Sequence, residues 1–315
     1  MTSSLIPAGL TPQRRYRAFS SFLRERFGTR VYRISLDAGL TCPNRDGTMA
    51  RGGCIYCNNS SFSPNRRVPP DTIRNQVSRG MAQLQKRYHA LRFLAYFQAG
   101  TNTHAPVATL RRLYNEALDL PQVLGLLIGT RPDCVPDPVL DLVQSYVRDH
   151  YVSLELGLQS IHDRTLDWMN RGHHLDAFLD AVQRCQGRGF DLCAHVIIGL
   201  PGESNAQVLA TAETLARLPI QAVKVHNLHI VRNTPLENLY QAGQVMLLER
   251  DEYIALVCDF LERLPPAMVI KRLGGEAPPD YLVAPRWCLD KQGLLNAIDR
   301  EFSRRDSWQG IRACG

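Results

Sequence analysis

The chain has 315 residues, of which 44% are hydrophobic and 21% charged, and it carries a formal net charge of +7. This length is enough for one large α/β barrel or two medium domains, each with a sizeable core. The apolar runs are shorter than the roughly 20 residues that span a bilayer, which excludes a membrane-spanning protein. The first ten residues lack the pattern of a signal peptide, so we expect a soluble, cytoplasmic protein.

Six short apolar runs predict β-strands, and the amphipathic stretches between them predict helices. The runs are rich in β-branched and aromatic residues without strict alternation, which is typical of strands buried on both faces of a parallel sheet. In chain order the predicted strands are residues 31–36, 91–97, 123–129, 151–156, 192–198 and 222–226. The predicted helices are residues 71–88, 106–118, 138–149, 175–188 and 204–217.

The spacing of these elements predicts the fold class. After the first gap, strand starts lie roughly 30 to 40 residues apart, which is the length of a βαβ unit. We therefore predict a partial (β/α)6 TIM-type barrel of parallel strands, with a long loop after strand 1 and a short C-terminal extension. The tail offers at most one more strand, at 269–273. The predicted division is a basic N-terminal segment (1–30), the barrel (31–245) and an extension packed on it (246–315).

Three of the nine cysteines form a cluster in that long loop. Cys42, Cys54 and Cys57 have the spacing C-x11-C-x2-C and follow the first strand, where such a barrel builds its active site. Thiolates are soft ligands for iron–sulfur clusters or zinc, and structural zinc normally takes four protein ligands. The spacing favours an iron–sulfur cluster, with zinc or coincidence as alternatives. The other six are expected to be small core residues: Cys134, Cys185, Cys193, Cys258, Cys288 and Cys314.

Three thiolates on a 4Fe-4S cluster would leave one iron without a protein ligand. The amino and carboxylate groups of S-adenosylmethionine (SAM) can occupy that position. Reduction of its sulfonium by one electron then yields a 5′-deoxyadenosyl radical that abstracts hydrogen from a substrate. The cofactors supply this chemistry, while the protein binds, orients and excludes water.

Several segments resemble a known family. They are CPNRDGT and GGCIYCNN within 42–59, YFQAGTNTHAP at 96–106, GTRPDCV at 129–135, LELGLQS at 154–160, TLDWMNRGH at 165–173, IIGLPGE at 197–203 and VKVHNLHIVRNTPLE at 223–237. From about residue 14 to residue 310 the chain resembles the radical SAM superfamily. Within it the chain is similar to the YhcC-like group, which is related to the radical SAM domain of the Elongator catalytic subunit.

The resemblance implies roles for individual residues. Cys42, Cys54 and Cys57 are the expected cluster ligands. The residues expected to bind SAM are Tyr56, Gly100, Thr101, Asn102, Arg131, Glu155, Gln159 and Gly199. The chain has AGTN at 99–102 where the superfamily commonly has GGE.

Two of these predictions have stated alternatives. Glu155 interrupts an apolar strand, so it needs a partner, which is either the cofactor or a buried salt bridge. Arg131 is expected to pair with Glu155 or with the SAM carboxylate.

Lys224 and His226 alternate along one strand and therefore share a face. They are the candidates for substrate contact or proton transfer, although ordinary packing would also explain them.

The resemblance also implies partners. Elongator-type domains act on the wobble uridine of tRNA, and the basic N-terminal segment and the Lys271/Arg272 pair agree with phosphate binding. The resemblance does not include the Elongator acetyltransferase domain, so we expect any uridine modification to differ or to need another protein. An electron donor such as flavodoxin or ferredoxin is expected as well. The alternatives are radical chemistry on a small metabolite or a protein side chain, and a non-catalytic metal-binding regulatory module. Oligomeric state is not predicted.

Overall fold

Seven parallel strands form one curved sheet, and two further strands pair separately. The computed structural model describes residues 7, 10, 11 and 13–313. The strands are β1 (Val31–Leu36), β2 (Arg92–Phe97), β3 (Val123–Thr130), β4 (Tyr151–Gln159), β5 (Asp191–Ile198), β6 (Ala222–Asn227), β7 (Ile230–Val231), β8 (Val269–Leu273) and β9 (Leu282–Ala284). The sheet order is β1-β2-β3-β4-β5-β6-β8, whereas β7 and β9 pair antiparallel.

Twelve α-helices accompany the strands in the part of the chain that the structure describes. They are α1 (Phe19–Phe27), α2 (Pro43–Asp46), α3 (Asn59–Phe62), α4 (Ile73–Tyr88), α5 (Val107–Leu118), α6 (Asp137–Ser145), α7 (Asp163–Trp168), α8 (Leu175–Cys185), α9 (Asn205–Ala216), α10 (Pro235–Gln241), α11 (Arg250–Glu262) and α12 (Lys291–Arg304). Across the described ranges, no helix is both long and apolar enough to cross a membrane.

The predicted α/β class and partial barrel are confirmed. All six predicted strands are present, and most of their ends agree with the prediction to within one residue. The candidate strand at 269–273 joins the sheet next to β6 as its seventh strand. The division into segments 1–30, 31–245 and 246–315 stays a prediction, although β8 of the barrel sheet comes from the third segment.

The inner side of the sheet, called the lumen below, is closed at its amino-terminal end. Alternate residues of a strand face opposite sides, so Leu94 of β2 faces the lumen while Phe93 packs outward against helices. Helix α1 inserts Phe19 and Leu23 among the lumen residues at the strand starts, including Tyr151. The lumen can therefore receive a ligand at the carboxyl ends of the strands, as is usual in this architecture.

Strand β8 contains one extra residue. Val223 pairs with Ile270 and Lys224 pairs with Arg272, so Lys271 has no partner on β6. Such a bulge changes which way the following side chain points. Ile270 packs into the outer core, while both Lys271 and Arg272 turn toward the lumen. Two consecutive cations thus face the inside of the barrel.

The scattered cysteines behave as predicted where the structure describes them. Cys134, Cys185, Cys193, Cys258 and Cys288 are buried and have free thiols. Cys314 lies outside the described residues. The buried thiols are small apolar core residues, which leaves the three cysteines of the long loop as the cluster candidates among the residues that the structure describes.

Candidate functional site

A cavity of about 720 Å³ lies at the carboxyl ends of the strands. One wall is the cysteine loop, with Cys42, Cys54 and Cys57. The opposite wall comes from β6, β8 and the segment that follows β8, with His226 and Arg272. The volume lies within the range of small-molecule and cofactor sites.

Local structure brings the three cysteines to one wall. Cys42 directly precedes α2, whose first residue is Pro43, a residue suited to a helix start. Gly52 and Gly53 both have positive φ, at 91° and 80°, and they turn the chain back before Cys54. The Cys57 amide then donates to the Cys54 carbonyl at 3.0 Å, which closes the CxxC turn.

The loop that follows α7 holds the cysteine loop in place. The amide of Ile55 donates to the Met169 carbonyl at 3.0 Å, and the Asn170 side chain donates to the Gly53 carbonyl at 2.8 Å. Asn44 returns the contact by donating to the Asn170 carbonyl at 2.6 Å. These bonds join segments that are more than a hundred residues apart in sequence.

Arg171 connects the cysteine loop to β4. Its Nη1 donates to the Cys54 sulfur at 3.5 Å and its Nη2 to the Gly157 carbonyl at 2.6 Å. A Cβ on Gly157 would lie 2.6 Å from Nη2, so only glycine leaves room for this contact. Burial alone would raise the pKa of the Cys54 thiol, but the charge and hydrogen bond of Arg171, together with the charge of Arg131, outweigh burial and lower it. The two arginines therefore favour the thiolate form, which is the metal ligand.

Within the part of the chain that the structure describes, the three thiols do not form a closed zinc site, and as soft ligands on one cavity wall they suit an iron–sulfur cluster. Zinc with tetrahedral thiolate ligands needs sulfur atoms about 3.8 Å apart. Among the described residues, Cys42, Cys54 and Cys57 do not form a set whose donor atoms all lie within 4.8 Å of one another. Thr101 and Arg171, which line the same cavity, each have a buried polar atom without a partner. The donor set and these free polar atoms suit a cluster with a polar ligand beside it.

The loop after β2 lies directly against the cysteine loop. Gly100 has φ +75°, and a Cβ there would lie 2.9 Å from the Leu40 carbonyl oxygen, so a side chain does not fit. The Thr101 amide donates to the Thr41 carbonyl at 3.0 Å. Gly100 and Thr101 line the cavity as predicted.

Two predicted cofactor residues are not cavity-lining residues. Asn102 is fully buried, and its side chain donates to the Gly129 carbonyl at 2.9 Å, which ties the β2 loop to β3. Gly199 has φ +88° and a Cβ there would lie 3.1 Å from Leu248, away from the cavity wall. Their cofactor roles stay predictions that the cavity itself does not support.

Tyr56, Gln159 and Arg131 do line the cavity. Gln159 ends β4 with φ 77°, after a register shift at Gly157. Arg131 was expected to pair with Glu155 or with the cofactor carboxylate. Instead its guanidinium forms two hydrogen bonds with Asp133, at 2.9 and 2.7 Å, and donates to the Arg171 carbonyl at 2.8 Å. Arg131 therefore supports Arg171.

Glu155 is the centre of a buried ionic network in the lumen. Its Oε2 accepts from Lys224 at 3.1 Å and lies 2.8 Å from the His195 Nε2, while its Oε1 accepts from Lys271 at 2.9 Å. The buried salt bridge that the sequence left as an alternative is thus present. Lys224 also donates to the Tyr96 hydroxyl, and Lys271 to Ser153 at 2.6 Å.

This network determines the charge states of its members. Burial would raise the pKa of Glu155, but Lys224 and Lys271 lower it well below its usual value. Burial lowers the pKa of Lys224 to about 8, although Glu155 opposes the shift. Burial and then Lys224 lower the pKa of His195 to about 4. At neutral pH Glu155 is therefore ionised, Lys224 is mostly protonated and His195 is neutral.

Lys224 and His226 both line the cavity, which confirms that they share a face. Burial, followed by the positive charge of Arg272, lowers the pKa of His226 well below its usual value. His226 therefore presents a neutral imidazole to the cavity. Its ring centroid lies 5.8 Å from that of His195. A catalytic role for either residue stays a prediction.

Several cavity residues were missed by the sequence reasoning. Lys271 and Arg272 were assigned to external phosphate binding, but Lys271 is 6% exposed and both turn into the lumen. His195 had a usable signal, since it is a lone histidine in an apolar strand. Arg171 lay within a segment that carries the resemblance, but it was not singled out. Its contact with Cys54 depends on two loops meeting in space.

A second cavity, of about 540 Å³, lies behind the cysteine loop. Cys42, Arg45, Cys57 and Asn59 line both cavities, so the loop is a wall between them. The outer cavity is polar and also contains Arg66. We call it the outer cavity below.

Comparison with known proteins agrees with this geometry. Residues 44–215 match the Radical SAM superfamily, and residues 220–304 match the Radical_SAM C-terminal domain. The chain is 38% identical over 301 residues to the protein YtqA of Bacillus subtilis, which covers 95% of this chain and 92% of that one. It is 39% identical over 283 residues to YhcC of Escherichia coli, which covers 90% of each.

A more distant likeness connects the chain to Elongator proteins. Elongator complex protein 3 of Schizosaccharomyces pombe is 25% identical over 158 residues, which are 49% of this chain and 28% of that protein. The solved structure of the archaeal Methanocaldococcus infernus Elp3 matches with a TM-score of 0.67 and 16% identity, covering 89% of this chain and 64% of that one. This structural likeness shows a shared fold. From its family matches and its close relatives, the chain belongs to the radical SAM superfamily and is a radical SAM enzyme.

Proposed function

We propose that the chain cleaves SAM reductively at a 4Fe-4S cluster held by Cys42, Cys54 and Cys57, and that the radical serves to modify tRNA at the wobble uridine. The observation that carries the proposal is the wall of three thiols facing a cavity of about 720 Å³. When bound, the reduced cluster would supply the electron that cleaves the SAM sulfonium to a 5′-deoxyadenosyl radical. A cytoplasmic location belongs to the same proposal.

The residues of the chain bind and orient in this scheme. Arg171, buried and hydrogen-bonded to Cys54, stabilises the thiolate. Thr101 and Gln159 line the cavity between the cysteine wall and the strand ends, and they supply polar contacts for SAM. Lys224 and His226 are farther along the lumen wall, where a substrate would meet the radical. Because α1 closes the lumen at the amino-terminal ends of the strands, water cannot enter the cavity from that end.

Support for tRNA comes from the resemblance to Elongator radical SAM domains and from basic side chains at the mouth. Arg67 lines the cavity and is exposed. The N-terminal segment supports the idea less than its composition suggested. Arg14, Arg15 and Arg17 form ion pairs with Asp299, Asp306 and Glu25.

A second candidate is a small metabolite as the substrate. A cavity of about 720 Å³ accommodates SAM beside one further small molecule. A nucleoside that is turned out of the tRNA and a free metabolite would occupy a similar volume in this cavity. The match to the Radical SAM superfamily argues against the third candidate, a non-catalytic metal-binding regulatory module.

We also propose that the electron donor, such as flavodoxin or ferredoxin, docks at the outer cavity. Cys42 and Cys57 are reached there without passing through the substrate cavity. Arg66 is paired with Asp37 at 2.6 Å, whereas Arg45 is exposed, so Arg45 is the cation of this surface that suits an acidic partner. The arrangement lets the substrate and the donor bind on opposite sides of the cysteine loop.

The decisive experiment is anaerobic reconstitution with iron and sulfide, followed by measurement of 5′-deoxyadenosine from SAM with bulk tRNA. We expect the protein to bind a cluster and to cleave SAM. We expect tRNA to stimulate this cleavage, and RNase treatment of the tRNA to abolish the stimulation. Cys57→Ala should lose both the cluster and SAM cleavage, whereas Cys185→Ala should retain them because Cys185 is a buried core residue.

The two parts of the proposal fail separately. A preparation that binds one zinc ion and no sulfide would disprove the cluster. Cleavage of SAM that responds to a metabolite extract and ignores tRNA would move the assignment to the second candidate. Mass spectrometry of tRNA nucleosides from a strain lacking the gene provides an independent check.

A further inference from the structure

The lumen wall opposite the cysteines has more positive than negative charges. The carboxylates that pair with these cations are Glu155, which is shared by two buried lysines, and Glu276, which is shared by Arg272 and an exposed lysine. Glu155 pairs with Lys224 and Lys271, while Glu276 pairs with Arg272 at 3.1 Å and with Lys291 at 2.9 Å. Arg33 adds another cation near Arg272.

The excess charge acts on the groups themselves. Burial and then the nearby Arg272 lower the pKa of Arg33. Arg272 and Arg33 also act against protonation of Lys224. Like charges held together in a buried site are costly unless an opposite charge joins them. The bulge in β8 adds to this excess because it turns Lys271 inward as well as Arg272.

We propose that Arg272, with Lys224 and Arg33 beside it, binds an oxyanion of the substrate, either a phosphate or a carboxylate. Arg272 lines the cavity, and its planar guanidinium suits oxyanions. Lys224 lines the same wall two residues before the neutral His226. The assignment rests on the proposed function to the extent that this cavity receives the substrate, and it names the chemical class that the substrate carries.

The oxyanion is distinct from the SAM carboxylate. In the proposed function the SAM carboxylate would lie at the cluster held by the cysteine wall, whereas Arg272 lines the opposite wall of the cavity. SAM and the oxyanion would therefore occupy separate sites in one cavity and could bind at once.

The test measures binding by calorimetry to the cluster-loaded protein. The probes are inorganic phosphate, uridine 5′-monophosphate, uridine and succinate, each with and without saturating SAM. We expect phosphate or succinate to bind, and the uridine nucleotide to bind more tightly than uridine if phosphate is the natural group. Succinate binding without phosphate binding would identify a carboxylate as the group. SAM should leave the affinity for the oxyanion unchanged.

Three variants localise the site. Arg272→Met should weaken binding at least about tenfold, as expected for the loss of one charge-assisted hydrogen bond, and Arg272→Lys should restore part of it. Lys291→Met is the matched control because Lys291 pairs with the same Glu276 but is 54% exposed. It should bind normally. Thermal melting of each variant verifies that it is folded.

Three results would overturn the proposal. They are absence of oxyanion binding to the wild type, equal binding by folded Arg272→Met, and displacement of the oxyanion by SAM. None of them touches radical generation, because 5′-deoxyadenosine can be assayed on the same samples. Conversely, oxyanion binding with no cleavage of SAM would leave the site intact and reject the proposed function.

Discussion

At the scale of single residues, Glu155 controls the interior of the barrel. Both of its carboxylate oxygens accept from buried lysines, and the side chain itself is fully buried. A buried ion pair adds little net stability compared with an apolar core, yet removing one partner leaves an uncompensated charge. Loss of the Glu155 carboxylate would therefore destabilise the fold, because Lys224 and Lys271 would remain buried without a counter-charge.

We predict that Glu155→Gln lowers the free energy of unfolding by about 3 kcal/mol or more, because Lys224 and Lys271 lose their counter-charge. Urea unfolding measures the change. The matched control is Glu213→Gln, in which a carboxylate that is 47% exposed loses its pairing with Arg263. That variant should change stability by less than about 1 kcal/mol. Equal effects would show that the network is not isolated from solvent.

Acid should destabilise the protein before Glu155 is protonated. The pKa of His195 is about 4 in the folded protein and 6.5 when exposed, so the unfolded chain binds more protons between these values. Stability is therefore retained above pH 6.5 and lost as the pH falls toward 4. Urea unfolding at pH 6.5, 5.5 and 4.5 should show this decline.

His195→Asn tests the source of that decline. The variant should reduce the proton uptake on unfolding by about one proton in this window. The remaining slope comes from His226, His173 and His229, whose pKa values are also lowered by burial. A slope that His195→Asn leaves unchanged would mean that the His195 ring reaches solvent.

At the scale of elements, the parts predictable from sequence were those with local signals. Runs of β-branched and aromatic residues located six strands, because a strand buried on both faces is apolar throughout. The candidate β8 was weaker, since its sequence VIKRL contains two cations, and only the bulge explains why both are tolerated. The cysteine loop was found from three residues of one kind.

Contacts between distant segments were not predictable in this way. Arg171 and Cys54 are 117 residues apart in sequence, and their hydrogen bond depends on the whole barrel being assembled. The Arg131 carbonyl contact is of the same kind, since Arg131 donates to the carbonyl of Arg171, 40 residues away. A charged residue in a strand can face either water or the lumen. The sequence alone did not predict that Lys271 faces the lumen.

Helix α1 is the element that closes the lumen, and we predict that its packing is worth as much as that of a core helix. Leu23 is 2% exposed, so Leu23→Ala should cost about 2–5 kcal/mol in unfolding free energy. Leu91→Ala, at a side chain that is 68% exposed, should cost no more than about 0.5 kcal/mol. Urea unfolding of both variants tests this. A small effect at Leu23 would mean that α1 only lies over the barrel end.

At the scale of the whole molecule, the cysteine loop separates two openings. The lumen cavity has a volume of about 720 Å³ and the outer cavity about 540 Å³, and the loop contributes to both. A single wall thus gives the electron donor and the substrate separate routes to the same ligands. This separation can be tested by changing charge on one side only.

We predict that Arg45→Glu slows SAM cleavage driven by a flavodoxin or ferredoxin system about tenfold, because an acidic donor would meet a reversed charge. Cleavage driven by the small chemical reductant dithionite should stay within about twofold of wild type. Because Arg45 also lines the lumen cavity, the affinity for SAM must be measured alongside. Equal losses with both reductants would contradict docking at the outer cavity.

Because Lys271 has no partner on β6, the charge inside the barrel can change at this position without a change in the strand register. If residue 271 were deleted, the side chains of β8 would alternate regularly between the two faces of the sheet. Ile270 and Leu273 would still be buried in the outer core, and Arg272 would still face the lumen. Evolution could therefore have set the interior charge by insertion or loss of one amino acid, with the sheet undisturbed. Among related chains, length at this point would then vary together with the ionic character of the molecule they act on.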